Sequence, residues 1–370
     1  MKITKVETLH LCLPTIAQIA DGTQDVLIVR VHTDEGYTGL GEVVSNSYIS
    51  RAVIEAPRSA PYRHGLASIV QGMDALDTDG VFDAMAENAF WYGPGGVARH
   101  AMSGIDMALW DIRGKAAGKP VRALISPEPT NSLPCYASTL WPERPDLVKA
   151  TADKHREDGY LAIKYSCDPM GPDPELDEAL VAAARDAVGV DFKLMVDAWR
   201  KWSVDAALDR VARFEKYNLY WLEEPIDAYD NAGFQELSKA ATMPIATGEC
   251  LSLPEEYERL RTIGNIDIAQ PDLGRVGGIT GALRIARSAR ETKTRVVLHA
   301  YGTGVMLAST AQCMAALADP LTEFTRASNP LARDLVRHGM EFREGQLHLS
   351  DQPGLGVELN EAVVARYRQA

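Results

Sequence analysis

Five groups able to do acid–base or metal chemistry recur at a spacing that no single helix or hairpin explains. Apolar runs end in turn on Asp197 (Lys193-Leu-Met-Val-Asp197), Glu223 (Leu219-Tyr-Trp-Leu-Glu223), Glu249 (Pro244-Ile-Ala-Thr-Gly-Glu249), Asp272 (Ile266-Asp-Ile-Ala-Gln-Pro-Asp272) and His299 (Arg295-Val-Val-Leu-His299). One acid at a strand end reads most simply as a helix cap or half of an ion pair. Three at near-equal spacing, with no Cys or His among them, read as hard oxygen ligands suited to Mg²⁺, one ion per subunit. Asp272 beside His299 would fix the imidazole tautomer and raise its basicity, the arrangement of a general base near neutral pH. Lys164 ends the run Leu161-Ala-Ile-Lys164-Tyr165-Ser166, where alternation points residues 164 and 166 inward and Tyr165 outward. It is expected to meet a substrate carboxylate, with a salt bridge to one of the metal acids as the simpler alternative. Glu323, 24 residues beyond His299, could donate a hydrogen bond to a developing oxyanion if its neighbours keep it protonated. Trp199, two residues past Asp197, faces the same place, and Tyr48 is a candidate contact from an N-terminal loop.

The intervals of 26, 26, 23 and 27 residues between these groups are the length of one strand plus one returning helix. That period implies parallel strands with helical crossovers, whose polar groups emerge at the C-terminal ends. Such ends converge on one mouth, where a (β/α) barrel keeps its chemistry. Leu133–Thr139 and Leu161–Ser166 read as the first two barrel strands. Pro174 opens a helix that Gly189 closes. Upstream, residues 2–9, Val26–His32 and Tyr37–Val44 alternate as strands, the last two around the turn Asp34-Glu-Gly36. Pro14–Asp25 and Ser45–Ser50 read as loops, and Ile69–Ala89 and Gly96–Lys115 as helices. Gly277-Gly278 reads as a tight turn into a helix over Ile279–Arg290 rather than as a phosphate loop. The expected division is an α+β unit over residues 1–125 and a barrel over 126–344, with the tail 345–370 packing back on the first unit.

At 370 residues the chain exceeds what one core holds, consistent with two domains. A formal charge of −13 disfavours nucleic acid and anionic membranes as partners. No apolar run is long enough for a span, and the N-terminus lacks the basic and apolar pattern of a signal peptide. Five scattered Cys without a C-x-x-C pair read as reduced thiols, so a cytoplasmic protein is expected, with a symmetric homo-oligomer as the default assembly.

Together, Val196-Asp-Ala-Trp199, Trp221-Leu-Glu-Glu-Pro225, Gly248-Glu249, Gln270-Pro-Asp272, Gly277-Gly278 and His299 resemble the enolase superfamily, mandelate racemase subgroup. Ala101-Met-Ser-Gly-Ile-Asp-Met-Ala-Leu-Trp-Asp-Ile-Arg-Gly-Lys115 is similar to that family's helix between cap and barrel. The resemblance implies a modified (β/α)₇β barrel, an α+β cap whose two loops close over the site, and Mg²⁺ on Asp197, Glu223 and Glu249. It assigns His299, supported by Asp272, as the base that removes the proton α to a carboxylate. Racemases of the subgroup carry Lys-x-Lys on the second barrel strand, where this chain has Lys164-Tyr165-Ser166. Without the second amine, epimerisation is disfavoured, and the pattern is closer to sugar-acid dehydratases such as rhamnonate dehydratase-like proteins. The expected reaction is removal of the α-proton from an aldonate or aldarate by His299, with the metal, Lys164 and Glu323 stabilising the charge. The same imidazole then protonates the departing β-hydroxyl, giving a 2-keto-3-deoxy acid. The rivals are a racemase, epimerase or cycloisomerase with Ser166 or a cap-loop residue in the missing role, and a catalytically inactive barrel that binds a ligand.

Overall fold

The computed structural model describes residues 1–369 except Tyr62, Glu291, Ala318, Arg326 and His338. The chain opens with an antiparallel meander, β1 (Ile3–Cys12), β2 (Asp25–Thr33) and β3 (Thr38–Val43), in that order across the sheet. Five helices follow: α1 (Ser47–Glu55), α2 (Leu66–Val70), α3 (Thr78–Ala89), α4 (Val97–Ala117) and α5 (Val121–Ile125). Two sequence expectations fail here for local reasons. The stretch expected as a loop over 45–50 turns helical at Ser47, because the Asn46 side chain accepts the Ile49 N–H at 3.0 Å and caps α1. The single helix expected over 69–89 is two, since Gly72 takes φ 82°, Lys2 pairs with Asp74, and Asp77 starts α3 by accepting from Gly80 N–H.

β3 has two distinct faces. A Cβ on Gly39 or Gly41 would stand 1.9 or 2.0 Å from the carbonyl oxygen of Ala108 or Gly104, so this face lies on α4 at backbone distance. By alternation Leu40, Glu42 and Val44 leave from the other face, toward the C-terminal half of the chain.

That half is an eight-stranded parallel barrel: β4 (Ser132–Leu140), β5 (Ala162–Ser166), β6 (Lys193–Asp197), β7 (Trp221–Glu223), β8 (Ile245–Thr247), β9 (Ile268–Ala269), β10 (Arg295–Val296) and β11 (Thr322–Thr325). Each pairs with its successor from β4 to β10, and β11 returns to pair with β4. Seven connections carry helices: α6 (Val148–Glu157), α7 (Pro174–Val188), α8 (Val204–Phe214), α9 (Asn231–Ala240), α10 (Pro254–Arg259), α11 (Gly278–Ala289) and α12 (Gly304–Met314). This is the (β/α)₇β barrel with an α+β cap that the sequence leads one to expect. Inside the ring, Tyr136, Ala162, Met195, Trp221, Ala246, Ile268, Val297 and Leu321 form one apolar cluster, one residue from each strand run. The lining is therefore a packed core, and chemistry is confined to the layer above it.

The tail divides its contacts. After α13 (Pro330–Asp334) come β12 (Val336–Arg337), β13 (Met340–Arg343), β14 (Gln346–Leu349), β15 (Glu358–Leu359) and α14 (Glu361–Tyr367). β14 joins the barrel sheet antiparallel to β4, while Leu355 N–H reaches Asp111 Oδ1 on α4 at 2.8 Å. α14 lies by β1, with Val364 and Tyr367 in one cluster with Leu9 and Leu11.

Candidate active site

Two residues beyond each member of the apolar layer, the same inward direction recurs one step nearer the mouth. Those positions are Ser138, Lys164, Asp197, Glu223, Gly248, Gln270, His299 and Glu323. Glu249 follows Gly248, whose φ of 124° turns the chain, and Asp272 lies two beyond Gln270. The structure thus brings all seven of the sequence's metal and acid–base candidates to one end of the barrel.

The groups are tightly paired. Lys164 Nζ lies 2.6 Å from Glu223 Oε1 and 3.0 Å from Glu323 Oε1, so it engages the acids around it, the simpler of the two alternatives above. Glu223 Oε2 also accepts from Trp221 Nε1 at 2.8 Å and Gln270 Nε2 at 2.7 Å. His299 Nδ1 meets Asp272 Oδ2 at 2.6 Å, leaving Nε2 facing Glu249 Oε2 at 3.1 Å and Glu323 Oε2 at 3.9 Å. Burial disfavours the imidazolium, but the carboxylates of Glu249, Glu323 and Asp272 outweigh it and raise the His299 pKa to about 10.

Glu323 corrects an expectation. Burial favours its neutral acid, yet the cations of Lys164 and His299, with hydrogen bonds from Ser138 and the Ala300 N–H, draw its pKa down to about 2. An ionised carboxylate only accepts hydrogen bonds, so Glu323 cannot be a donor to an oxyanion in this state.

Above these groups lies a cavity of about 410 Å³ walled by both halves of the chain. The barrel contributes Lys164, Ser166, Cys167, Asp197, Trp199, Glu249, Arg275, His299, Tyr301 and Glu323; the cap contributes Ile19 to Gly22, Asp25, Val26 and Glu42 to Ser45. Trp199 takes φ 49° and is 42% exposed at the rim. Ser166 lines the cavity while Tyr165 points outward and stacks on Trp141 at 4.4 Å between centroids. Tyr48 is displaced from the role considered above. It is 64% exposed on α1, outside the cavity lining, and its ring stands edge-on to His10 at 4.6 Å. His10 Nε2 in turn meets Asp25 Oδ1 at 2.7 Å, and it is Asp25 that reaches the wall.

Three further residues escaped the sequence reading. Arg275 donates to the Glu249 carbonyl at 3.0 Å and approaches its Oε1 at 3.3 Å. Its only sequence signal was proximity to Asp272. Tyr301, two residues past His299, follows the parity rule that had found Trp199. Glu42 carries a charge within an otherwise apolar and glycine-rich strand, a signal that could have been read.

The three acids fit a hard cation. One oxygen from each lies within 4.8 Å of the other two, and all three residues are buried. Burial first, then the charges of Glu223 and Glu249 against the pull of Lys164, push the Asp197 carboxyl well above its usual range. Carboxylates forced together out of water are stable as anions only with positive charge between them. A second grouping, Glu224, Glu249 and Cys250, suits such an ion less well. Burial and the adjoining carboxylates push the Cys250 thiol up to about 12, and sulfur is a soft ligand.

An α+β cap closing over a (β/α)₇β barrel whose mouth holds buried acids beside a His–Asp pair defines one class of protein. Residues 3–126 match the family model described as mandelate racemase / muconate lactonizing enzyme, N-terminal domain, and residues 146–363 the one described as enolase C-terminal domain-like; the chain belongs to the enolase superfamily. It is 30% identical to the D-galactarolactone cycloisomerase of Agrobacterium fabrum, covering 100% of this chain and 99% of that protein. It is 34% identical to the L-talarate/galactarate dehydratase of Salmonella typhimurium, covering 91% of this chain and 81% of that one. The crystal structure of the 3,6-anhydro-D-galactonate cycloisomerase from Zobellia galactanivorans superposes with a TM-score of 0.91 at 28% identity, covering 100% of both chains. Among the described residues no helix is long and apolar enough to cross a membrane.

Proposed function

We propose that this chain is a Mg²⁺-dependent dehydratase of a sugar acid, an aldonate or aldarate, that forms a 2-keto-3-deoxy acid. The observation that carries the reading is one-sided proton chemistry: His299 with Asp272 faces the cavity, while Ser166 stands where racemases of this type carry a second lysine. Ser166 Oγ is 3.4 Å from the Thr139 carbonyl, a weak bond within the barrel wall. The reading also assigns the metal to Asp197, Glu223 and Glu249, and substrate contacts to Trp199 and Ser166. We place the cap–barrel division near residue 125 and the protein in the cytoplasm as a homo-oligomer.

Asp272 holds the proton on Nδ1, so the lone pair on Nε2 faces the substrate's α-proton. Asp197, Glu223 and Glu249 would hold a divalent cation, which would supply Lewis-acid stabilisation of the negative charge developing on the substrate carboxylate. With positive charge held at Glu249, the imidazole would lose the largest of the interactions that raise its pKa, so that His299 could act as base. Lys164, kept cationic by Glu223 and Glu323 against the cost of burial, adds positive charge on the opposite side of the mouth. Once protonated, His299 returns the proton to the β-hydroxyl on the same face. The carbon–oxygen bond breaks, water leaves, and the enol ketonises.

A second reading has specific support in the cycloisomerase relative that aligns along the whole chain. If the β-oxygen belongs to a ring, the same deprotonation opens the ring and no water is lost. The test is incubation with Mg²⁺ and a panel of aldonic, aldaric, lactone and anhydro acids, with semicarbazide trapping of keto acids and mass measurement of products. Loss of one water supports dehydration, and a product of unchanged mass supports cycloisomerisation. Silence, followed by no exchange of the α-proton in D₂O, would leave the inactive binding barrel as the surviving alternative.

A further inference from the structure

The C-terminal end of β3 crosses from the cap into the barrel. Glu42 Oε1 accepts from the Thr303 N–H at 3.0 Å, and Oε2 accepts from Thr303 Oγ1 at 2.6 Å and the Met306 N–H at 3.0 Å. Thr303 is the N-cap of α12, its side chain accepting from Val305 N–H. A wholly buried carboxylate from the cap thus closes the start of the helix that follows His299, satisfying amides that would otherwise be orphaned. The backbone approaches closely, since a Cβ on Gly302 would lie 3.1 Å from Glu42 Oε1. Two residues along, Val44 presses on the neighbouring loop, where a Cβ on Gly274 would lie 2.4 Å from its Cγ2. Gly274 N–H is itself held by Asp272 Oδ1 at 2.6 Å.

One short cap segment therefore touches two barrel loops, one carrying Asp272 and the other following His299. These are the loops whose relative placement sets the 2.6 Å contact between Nδ1 and Oδ2. We infer that Glu42, with Val44, is a positioning residue: by seating β3 between these loops the cap sets the His299–Asp272 geometry, so that proton abstraction depends on how the cap is docked. The inference rests on the reading of that pair as the base. Glu42 borders the cavity, but both its oxygens are engaged by Thr303 and Met306, so it acts through the loop from His299 to Thr303.

Glu42→Gln is the sharpest variant. It is nearly isosteric, but its amide group must present an N–H₂ where one oxygen now accepts a backbone N–H, so the two amide donors cannot both be satisfied. In the Mg²⁺-loaded full chain the expected result is a fall in kcat of roughly 10- to 100-fold, the scale of a small misplacement of a reacting group. KM is read beside it: because Glu42 also lines the cavity, a rise in KM at unchanged kcat would mark it as a substrate contact and overturn the inference. The strongly deshielded proton resonance of the His299–Asp272 hydrogen bond should shift in the variant's NMR spectrum. A merely structural Glu42 would lower the melting temperature and leave kcat per folded molecule and that resonance as in the wild type, which would overturn the inference. Should Glu42→Gln fail to fold, Val44→Ala is read by the same two criteria. A wild type silent on every sugar acid would sink the dehydratase reading alone, because the resonance still reports on positioning.

Discussion

Buried carboxylates in two regions of this molecule are used in opposite ways. At the barrel mouth Asp197, Glu223 and Glu249 stand within 4.8 Å of one another. Along the contact between α4 and the rest of the chain, Asp106 and Asp111 each hold backbone N–H groups of other elements. Asp106 Oδ2 accepts from Thr280 N–H at 2.9 Å; Asp111 accepts from Leu40 N–H at 3.0 Å and Leu355 N–H at 2.8 Å. A carboxylate surrounded by donors joins elements together; carboxylates facing one another store repulsion that a cation or substrate relieves. Substitutions at the mouth should accordingly remove chemistry while sparing the fold, and those at the contact should do the reverse.

The largest effect is expected from His299→Asn, a loss of roughly 10²- to 10⁴-fold in kcat with Mg²⁺ binding retained. Steady-state kinetics beside calorimetry checks both halves, and near-normal turnover would remove His299 from the role of base. Glu249→Gln should weaken Mg²⁺ affinity by at least about tenfold without lowering the melting temperature of the metal-free protein. Unchanged affinity would exclude it from the metal shell. At the contact, Gly278 takes φ 82° and a Cβ there would lie 2.3 Å from Asp106 Oδ2. Gly278→Ala should cost about 1–3 kcal/mol in denaturant unfolding while leaving Mg²⁺ affinity unaltered.

The smallest expected effect concerns pH. Burial raises the Asp106 carboxyl to about 7, opposed only partly by its hydrogen bonds to Thr280 and Ile279. Its folded value thus lies above the ordinary carboxylate value of 3.8. Between those limits the folded state binds the extra proton, so this group's contribution to stability is present below about pH 4 and lost as pH rises through 7. Asp106→Asn cannot ionise and should flatten that decline, measured as melting temperature from pH 4 to 8. A variant with the wild-type slope would show that other groups set it.

Much of the mouth was legible because strand-end position is written in the chain as a period. Parallel strands buried on both faces must be apolar until they emerge, and helical returns fix the interval, so Asp197, Glu223, Glu249, Asp272 and His299 announce themselves. Ser166 and Trp199 followed from parity, and parity would also have found Tyr301. The cap was read less well. Asn46, rather than the composition around it, decided that residues 47–55 are a helix, and Gly72 divided what periodicity had joined. Tyr48 could not be placed from its letters, since whether an aromatic on α1 reaches substrate or covers His10 depends on how that helix lies on the sheet.

The sequence by itself determined the barrel, its cap and which side chains gather at the mouth, because alternation and strand–helix spacing are properties of the local chain. Only the tertiary structure decided their charge states and alliances. Lys164, from another strand and 3.0 Å away, draws the Glu323 carboxyl below its ordinary range. Glu42, 261 residues before Thr303, closes the helix after His299. Electrostatic fields and hydrogen-bond partners at such separations depend on distances through space, which no order of residues along a chain specifies.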